Sequence, residues 1–247
     1  MRPSLCVLAV SIASVCGQLT DCDPLDTGHC MFPFPNDFWM REVNGATKVH
    51  FSRSGLPRDV FGTRVDPVKG GWNEQDGFPT LSPLLTYFDG VDLEQSKVPA
   101  YWDIEPSLAP SSPIVLLDTV TGRRVPYFAE LDHYSGTSVR QALMIWPAHQ
   151  LSHGTRYIVA IRGLVNSDGE RLDSSEAFVA LRDDQPSDDP NVELRRAHFR
   201  DIFARLEEVG VERATTQLAW DFTTASKKST TQRAVFMRDD AFARVEA

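Results

Sequence analysis

The 247 residues include 34 Asp and Glu against 25 Lys and Arg, which gives a formal net charge of −9, and 42% of them are hydrophobic. This composition is typical of a globular protein and excludes a disordered or fibrous chain. The acidic balance argues against nucleic acid as a partner, because a phosphate backbone binds to a positive surface. Beyond the extreme N-terminus, no apolar run reaches the roughly 18 residues that would predict a transmembrane segment.

The N-terminus has the composition of a secretory signal peptide. Arg2 precedes an apolar run from Leu5 to Val15, and a polar stretch follows Gly17. This run is too short to span a bilayer, and the small residue Gly17 suits a cleavage site. Residues 1–17 are therefore predicted to be a signal peptide, and the mature protein is expected to be secreted or to lie at the cell surface or in the periplasm. A buried N-terminal helix is the alternative.

Cleavage would leave two cysteines, Cys22 and Cys30, eight positions apart. In an exported chain, two cysteines this close predict a disulfide. Closing so short a loop contributes roughly 2.5 kcal/mol in the chain-entropy view, so the bridge would tie down an otherwise extended segment. Zinc would need further soft ligands, and only His29 lies nearby.

The distribution of proline divides the chain. Twelve of the 16 prolines lie between Pro24 and Pro126, and none follows Pro190. Prolines at this density exclude long helices, so residues 18–110 are predicted to be a proline-rich segment of short strands, turns and ordered loops. The residues after Pro190 are free to form helices.

Short apolar runs predict an antiparallel β-sandwich over residues 111–184. The first two runs are expected to form a hairpin around Gly122, and Asp168-Gly169 is expected to supply the positive φ of another tight turn. The predicted strands are residues 113–120, 125–131, 142–147, 156–162 and 177–181.

A helix, a strand and a second helix are predicted over residues 190–247. Asp189 precedes Pro190, which is an arrangement typical of a helix start, and Gly210 is expected to end that helix. The strand is predicted from the alternating apolar residues Leu218, Trp220 and Phe222. The last helix is predicted from a capping box (Ser229, Gln232) and from an apolar face (Val235, Phe236, Phe242). The chain is expected to continue into a further domain.

The most distinctive string is Pro33-Phe34-Pro35-Asn36-Asp37. Its prolines favour an extended backbone, and Asn36-Asp37 favours a turn. The aromatic residues that follow can pack on a sheet. These five residues are therefore predicted to form a structural turn motif.

Together with Asp76-Gly-Phe78, this string resembles the N-terminal domain of bacterial virulence-factor-type extracellular lipases. Gly154-Thr-Arg-Tyr157 and the turn that ends at Gly169 are similar to a bacterial immunoglobulin-like repeat. The resemblance covers roughly residues 21–184. It implies a mainly β protein with an immunoglobulin-like module over residues 111–184, acting as a non-catalytic module that positions or shields a catalytic domain.

In that family, the catalytic serine lies in a later α/β-hydrolase domain, on a G-x-S-x-G turn. No G-x-S-x-G occurs in these 247 residues. The resemblance therefore implies a hydrolase domain of the same protein as the partner, and it assigns no catalytic residue to this sequence.

Two other functions stay open. A small secreted hydrolase would need Asp132, His133 or Ser135 to meet remote partners, whereas a polar hairpin loop is the simpler interpretation. A stand-alone adhesion or carbohydrate-binding module would expose the aromatic residues of the first part. Because large aromatic side chains are mostly buried, we expect most of these six to form core: Trp39, Trp72, Tyr87, Phe88, Tyr101 and Trp102.

No cofactor is expected, with calcium as the open alternative. Asp21, Asp23 and Asp26, together with the acidic stretch 183–189, could supply the oxygen ligands that calcium prefers. Neither stretch has the spacing of a known calcium loop, so solvated carboxylates are the simpler interpretation.

Overall fold

The computed structural model describes residues 21–56, 58–135 and 141–245, without the side chain of Ser135. The predicted signal peptide lies outside these ranges. Where it is described, the chain is mainly β, with three antiparallel sheets and three α-helices. Up to residue 126 the described residues form short strands, turns and 3-10 helices, as the density of proline predicts.

Nine strands and three α-helices follow in chain order. The strands are β1 (Met40–Val43), β2 (Ala46–Val49), β3 (Leu84–Thr86), β4 (Ile114–Asp118), β5 (Arg123–Arg124), β6 (Tyr127–Leu131), β7 (Leu143–Pro147), β8 (Arg156–Arg162) and β9 (Thr216–Thr223) in the described ranges. The helices are α1 (Glu176–Arg182), α2 (Pro190–Glu208) and α3 (Lys227–Val245).

The largest sheet has the strand order β5-β4-β8-β9. Its central strand β8 pairs antiparallel with both β4 and β9, and Val159 lies opposite Leu116 on one side and Trp220 on the other. Strand β8 is apolar along its whole middle, as a strand buried on both faces requires. The tail of the chain therefore completes the sheet that its middle begins.

A second sheet, of order β3-β7-β6, alternates between buried and half-exposed residues. Tyr127 and Ile145 are fully buried on its inner face. Phe128 and Trp146 lie opposite each other in the register and are partly exposed on its outer face. Successive side chains of a strand point to opposite faces, so the outer face carries its own row of residues.

Two predictions about the middle segment are wrong in part. Residues 125–131 do not form one hairpin with residues 113–120. The short strand β5 pairs with β4 and the Val125 N–H donates to the Leu116 carbonyl, but β6 joins the other sheet. Pro126 separates β5 from β6 and has no N–H for a ladder. Residues 177–181 form helix α1 rather than a strand, because Ser175 caps the Phe178 N–H and so starts a helical turn.

The helix–strand–helix order of the tail is confirmed. Asp189 accepts a hydrogen bond from the Asn191 N–H, Pro190 occupies the first turn, and Gly210, with a φ of 75°, follows the end of α2. Helix α3 begins before the predicted cap, because the Ser226 hydroxyl accepts a hydrogen bond from the Ser229 N–H.

Helix α3 buries none of its described side chains, in contrast to α2. Phe236 and Phe242 are more than half exposed. Within the described ranges, none of the helices combines the length and the apolar character that crossing a bilayer requires.

One hydrophobic cluster contains side chains from all three predicted segments, including Trp39, Ile158 and Trp220. The segment from Asp76 to Phe78 reaches this cluster by lying against the end of β9. The Phe78 N–H donates to the Thr223 carbonyl, and the Asp76 carboxylate accepts from the Ser226 N–H at 2.9 Å. The first part of the chain is thus fastened to its last part.

Gly77 lies directly against this backbone. A Cβ on Gly77 would lie 2.6 Å from the Ala225 nitrogen, whereas one on exposed Gly70 would lie 3.4 Å from its nearest neighbour. We expect Gly77→Ala to lower the free energy of unfolding by about 1–3 kcal/mol in urea titrations, because backbone must move. Gly70→Ala is the matched control, and an equal loss in both variants would contradict the steric explanation.

Candidate functional site

The predicted disulfide between Cys22 and Cys30 is present. It closes a turn in which the Asp23 N–H donates to the Cys30 carbonyl. The turn holds Asp23 inside the protein, where its side chain is fully buried. The bridge therefore positions a charged residue as well as closing a loop.

The segment from Pro33 to Asp37 connects this turn to the tail. Both prolines follow cis peptide bonds, and Phe34 pairs with Leu85 at the edge of β3. The Trp220 indole N–H donates to the Pro35 carbonyl at 2.8 Å. The segment is thus packed against β9.

Asn36 and Asp23 form a buried polar contact with helix α2. The Asn36 amide donates to one oxygen of Asp23 at 2.6 Å, and the Arg195 guanidinium donates to the other at 2.7 Å. Burial raises the pKa of Asp23, and the charge of Arg195 counteracts that shift. Arg195 also lies between the rings of Phe38 and Phe199, which fixes its position.

Asp37 contacts β9 at Thr223, two residues after another buried carboxylate, Asp221. Its two oxygens accept from the Thr223 N–H at 2.8 Å and from the Thr223 hydroxyl at 2.7 Å. Burial, and then the nearby charge of Asp221, raise the pKa of Asp37 to about 6. This carboxyl is therefore easier to protonate than an ordinary aspartate.

Asp221 is the buried carboxylate of β9, with a side chain only 1% exposed. The His198 Nε2 atom lies 2.8 Å from one of its oxygens, and the Arg156 Nε–H donates to the other at 2.5 Å. Burial alone would raise the pKa of Asp221, but His198 and Arg156 hold it below its usual range. The Arg156 guanidinium and the His198 ring together compensate this carboxylate inside the sheet.

A groove of about 340 Å³ runs over this network between the Asp37 turn and α2. The His198 side chain is 42% exposed there and is oriented by a buried carboxylate, as the general bases of enzymes are. Among the described residues, Asp221 is its one hydrogen-bond partner. The hydrogen bond to Asp221 therefore makes His198 part of the polar contact between α2 and β9.

A second and larger cleft, of about 880 Å³, opens between residues 91–106 and strand β6. Its volume lies within the range of roughly 300–1,000 Å³ that is usual for ligand sites. Tyr101 and Trp102 line it and remain 66% and 75% exposed. The Pro99 carbonyl accepts from the Ala129 N–H at 2.9 Å, which fixes this loop to β6.

Tyr101 and Trp102 belong to a row of four rings, which we call the aromatic row: Trp102, Tyr101, Phe128 and Trp146. Neighbouring ring centroids along the row are 4.7, 6.5 and 6.2 Å apart. The Trp146 indole N–H donates to Glu130, which also lines the cleft. The row therefore continues from the cleft onto the outer face of the second sheet.

The expectation of aromatic core is right for some residues and wrong for others. Trp39 and Phe88 are buried, whereas Trp72, Tyr101 and Trp102 are exposed. Tyr101 and Trp102 occupy the centre of a surface turn that is closed by a hydrogen bond from the residue 103 N–H to the residue 100 carbonyl. Two adjacent aromatic residues between Pro99 and Pro106 were the available sequence signal.

The residues considered for a small hydrolase lie beside this cleft. His133 begins a 3-10 turn, is exposed and lines the cleft, while Asp132 caps that turn through the Tyr134 N–H. The side chain of Ser135 lies outside the described residues.

Three of the carboxylates considered for calcium have other contacts. Asp23 binds Arg195, Asp26 lies 3.1 Å from the His29 ring, and Asp183 pairs with Arg182. In the part of the chain that the structure describes, no three His, Cys, Asp or Glu side chains are grouped to hold a metal ion.

Comparison of the chain with protein-family models, with curated proteins and with solved structures found no match.

The buried contact between Asp23 and Arg195 gives a testable prediction. Arg195→Met leaves a buried carboxylate without its cation, and we expect urea titrations at neutral pH to show a loss of about 3–5 kcal/mol. Arg200→Met, on the same helix, is the matched control, because its ion pair with Asp184 is exposed and contributes at most about 1 kcal/mol. Similar losses in both variants would refute the role of Arg195.

The raised pKa of Asp37 predicts an unusual pH dependence. The carboxyl of the folded protein binds its proton more tightly than that of the unfolded chain. Its contribution to the stability of the fold is therefore complete below pH 3.8, the ordinary pKa, and is lost as the pH rises toward 6. The difference in unfolding free energy between the native protein and Asp37→Asn should therefore fall by up to about 3 kcal/mol across this window. Chemical denaturation at several pH values measures it, with exposed Asp103→Asn as the control; a difference that rises with pH would contradict the prediction.

Proposed function

We propose that the chain is a non-catalytic N-terminal module of a secreted lipase- or esterase-like protein, and that it binds saccharide chains through the aromatic row and the adjoining cleft. The observation that carries the binding function is the exposure of Tyr101 and Trp102 at this cleft. In this role, the module positions a following hydrolase domain on a glycan-bearing surface.

The chemistry of the cleft suits a sugar chain. The flat faces of pyranose rings are apolar and stack on exposed aromatic rings, while their hydroxyl groups need hydrogen-bond acceptors at the edge. Tyr101 and Trp102 offer the rings, and Glu130 and Asp103 offer carboxylate acceptors in the same cleft. Ordinary protein surfaces rarely expose contiguous aromatic side chains, and a patch of this kind is typical of a binding site.

The architecture of the binding surface also favours this role. Phe128 and Trp146 stack with an angle of 12° between their planes, and both stand on paired strands of one sheet. A sheet holds such rings in place, so little conformational entropy is lost when a ligand binds. The loop that carries Tyr101 is fixed to the same sheet by the bond from Ala129 to Pro99.

Secretion, the immunoglobulin-like module and the lipase-like relationship are supported by the sequence and by the strand pairing. Secretion is supported by the predicted signal peptide and by the Cys22–Cys30 disulfide, since disulfides persist in oxidising compartments. The immunoglobulin-like assignment of residues 111–184 is supported by antiparallel pairing of β4 with β8 and of β6 with β7. The lipase-like relationship is supported by the motifs around Pro33–Asp37 and Asp76–Phe78.

Removing one ring tests the binding function. Isothermal titration with neutral oligosaccharides of glucose and of N-acetylglucosamine should detect binding to the native protein. We expect Trp102→Ala to weaken it about tenfold or more, which corresponds to the loss of one stacked ring. Trp72→Ala is the matched control, because Trp72 is 44% exposed but lies outside the cleft.

Equal weakening by both substitutions, or the absence of saccharide binding to the native protein, would contradict the proposed binding site. The non-catalytic part is tested separately with short- and long-chain p-nitrophenyl esters. We expect no turnover by the purified chain, and turnover would overturn that part of the proposal whatever the binding result.

A further inference from the structure

We infer that the saccharide taken by this cleft is amine-bearing, that is, a chain containing glucosamine units in their protonated form. The inference rests on the proposed saccharide-binding function and names the ligand class of the same site. It is carried by the charges of the side chains that line the cleft together with the aromatic rings.

The cleft is strongly acidic. One lysine, Lys97, lines it, and His133 lies at its edge. Four carboxylates also line it: Asp92, Glu94, Asp103 and Glu130. Across the described ranges, none of the four lies within 4.0 Å of a lysine, arginine or histidine nitrogen in an ion pair. The acidic charge of the cleft is therefore available to a ligand.

The carboxylates of the cleft differ from those near the groove beside α2 in having no arginine partner among the described residues. There, the buried carboxylates Asp23 and Asp221 are each matched by arginine at 2.7 and 2.5 Å. In the cleft, the carboxylates stand beside exposed rings instead. A concave wall of one sign raises the local concentration of ligands of the opposite sign, so the cleft attracts cations.

The aromatic rings favour the same kind of ligand. An ammonium group over the face of an indole or phenol ring is attracted by the ring quadrupole, and tryptophan gives the strongest contact. A protonated glucosamine unit therefore offers three matching features: an apolar sugar face for stacking, hydroxyl donors, and an ammonium for Glu130 or Asp103. A uronate chain would instead bring its carboxylates against those of the cleft, which disfavours it.

Three oligosaccharides of equal length test this inference: glucosamine, N-acetylglucosamine and galacturonate oligomers. Each is titrated into the protein calorimetrically at low ionic strength and mildly acidic pH, where the free amine is protonated. We expect the glucosamine oligomer to bind at least about tenfold more tightly than its acetylated form, and galacturonate to bind most weakly. Added salt should weaken the glucosamine complex selectively, because it screens exposed charges.

A triple variant, Glu94→Gln/Asp103→Asn/Glu130→Gln, removes the charge without removing the rings. The amide that replaces the Glu130 carboxylate keeps an oxygen that can accept from the Trp146 indole. We expect the triple variant to lose about tenfold in glucosamine affinity and to bind the acetylated oligomer within about twofold of the native protein. The matched control is Glu42→Gln/Glu74→Gln/Glu208→Gln, which changes net charge equally at exposed positions outside the cleft and should leave glucosamine binding unchanged.

The possible failures are distinguishable. If the acetylated or the galacturonate oligomer binds as tightly as glucosamine, or if both triple variants lose the same affinity, the inference is wrong while the proposed saccharide site stands. If none of the three oligomers binds, the proposed function itself fails.

Discussion

Strand β9 is the element on which the rest of the structure depends, because it is buried nearly throughout and nevertheless carries a charge. Its side chains include the fully buried Trp220 and Asp221. A buried carboxylate costs several kcal/mol unless cations and hydrogen-bond donors compensate it, and Arg156 and His198 do so from two other elements. The need to satisfy this strand fixes where β8 and α2 lie.

The same strand explains why the first part of the chain needs its two distinctive motifs. Pro35 accepts from Trp220, and Asp37 accepts from Thr223, so one turn satisfies polar groups along β9. Gly77 lies where no side chain fits against the backbone that follows this strand. These motifs fasten to β9 a proline-rich segment whose own regular pairing, among its described residues, is limited to the two-stranded sheet of β1 and β2.

Several properties of this protein follow from the sequence alone. The disulfide follows from two nearby cysteines. The absence of long helices among the described residues between Pro24 and Pro126 follows from proline, which removes backbone donors. Strand β8 and the start of α2 at Pro190 follow from local patterns, because a buried strand and a capped helix are specified by neighbouring residues.

Tertiary structure alone decided which elements meet and which side chains stay outside. A short apolar run such as residues 177–181 suits a helix or a strand, and packing of Phe178 against Phe199 and Phe203 of α2 favours the helix. Pairing of Asp23 with Arg195 joins positions 172 residues apart, which no local pattern can encode. Exposure of Tyr101 and Trp102 likewise depends on the turn that carries them. Aromatic side chains occur both in cores and on surfaces, and the surrounding chain determines which of the two positions they take.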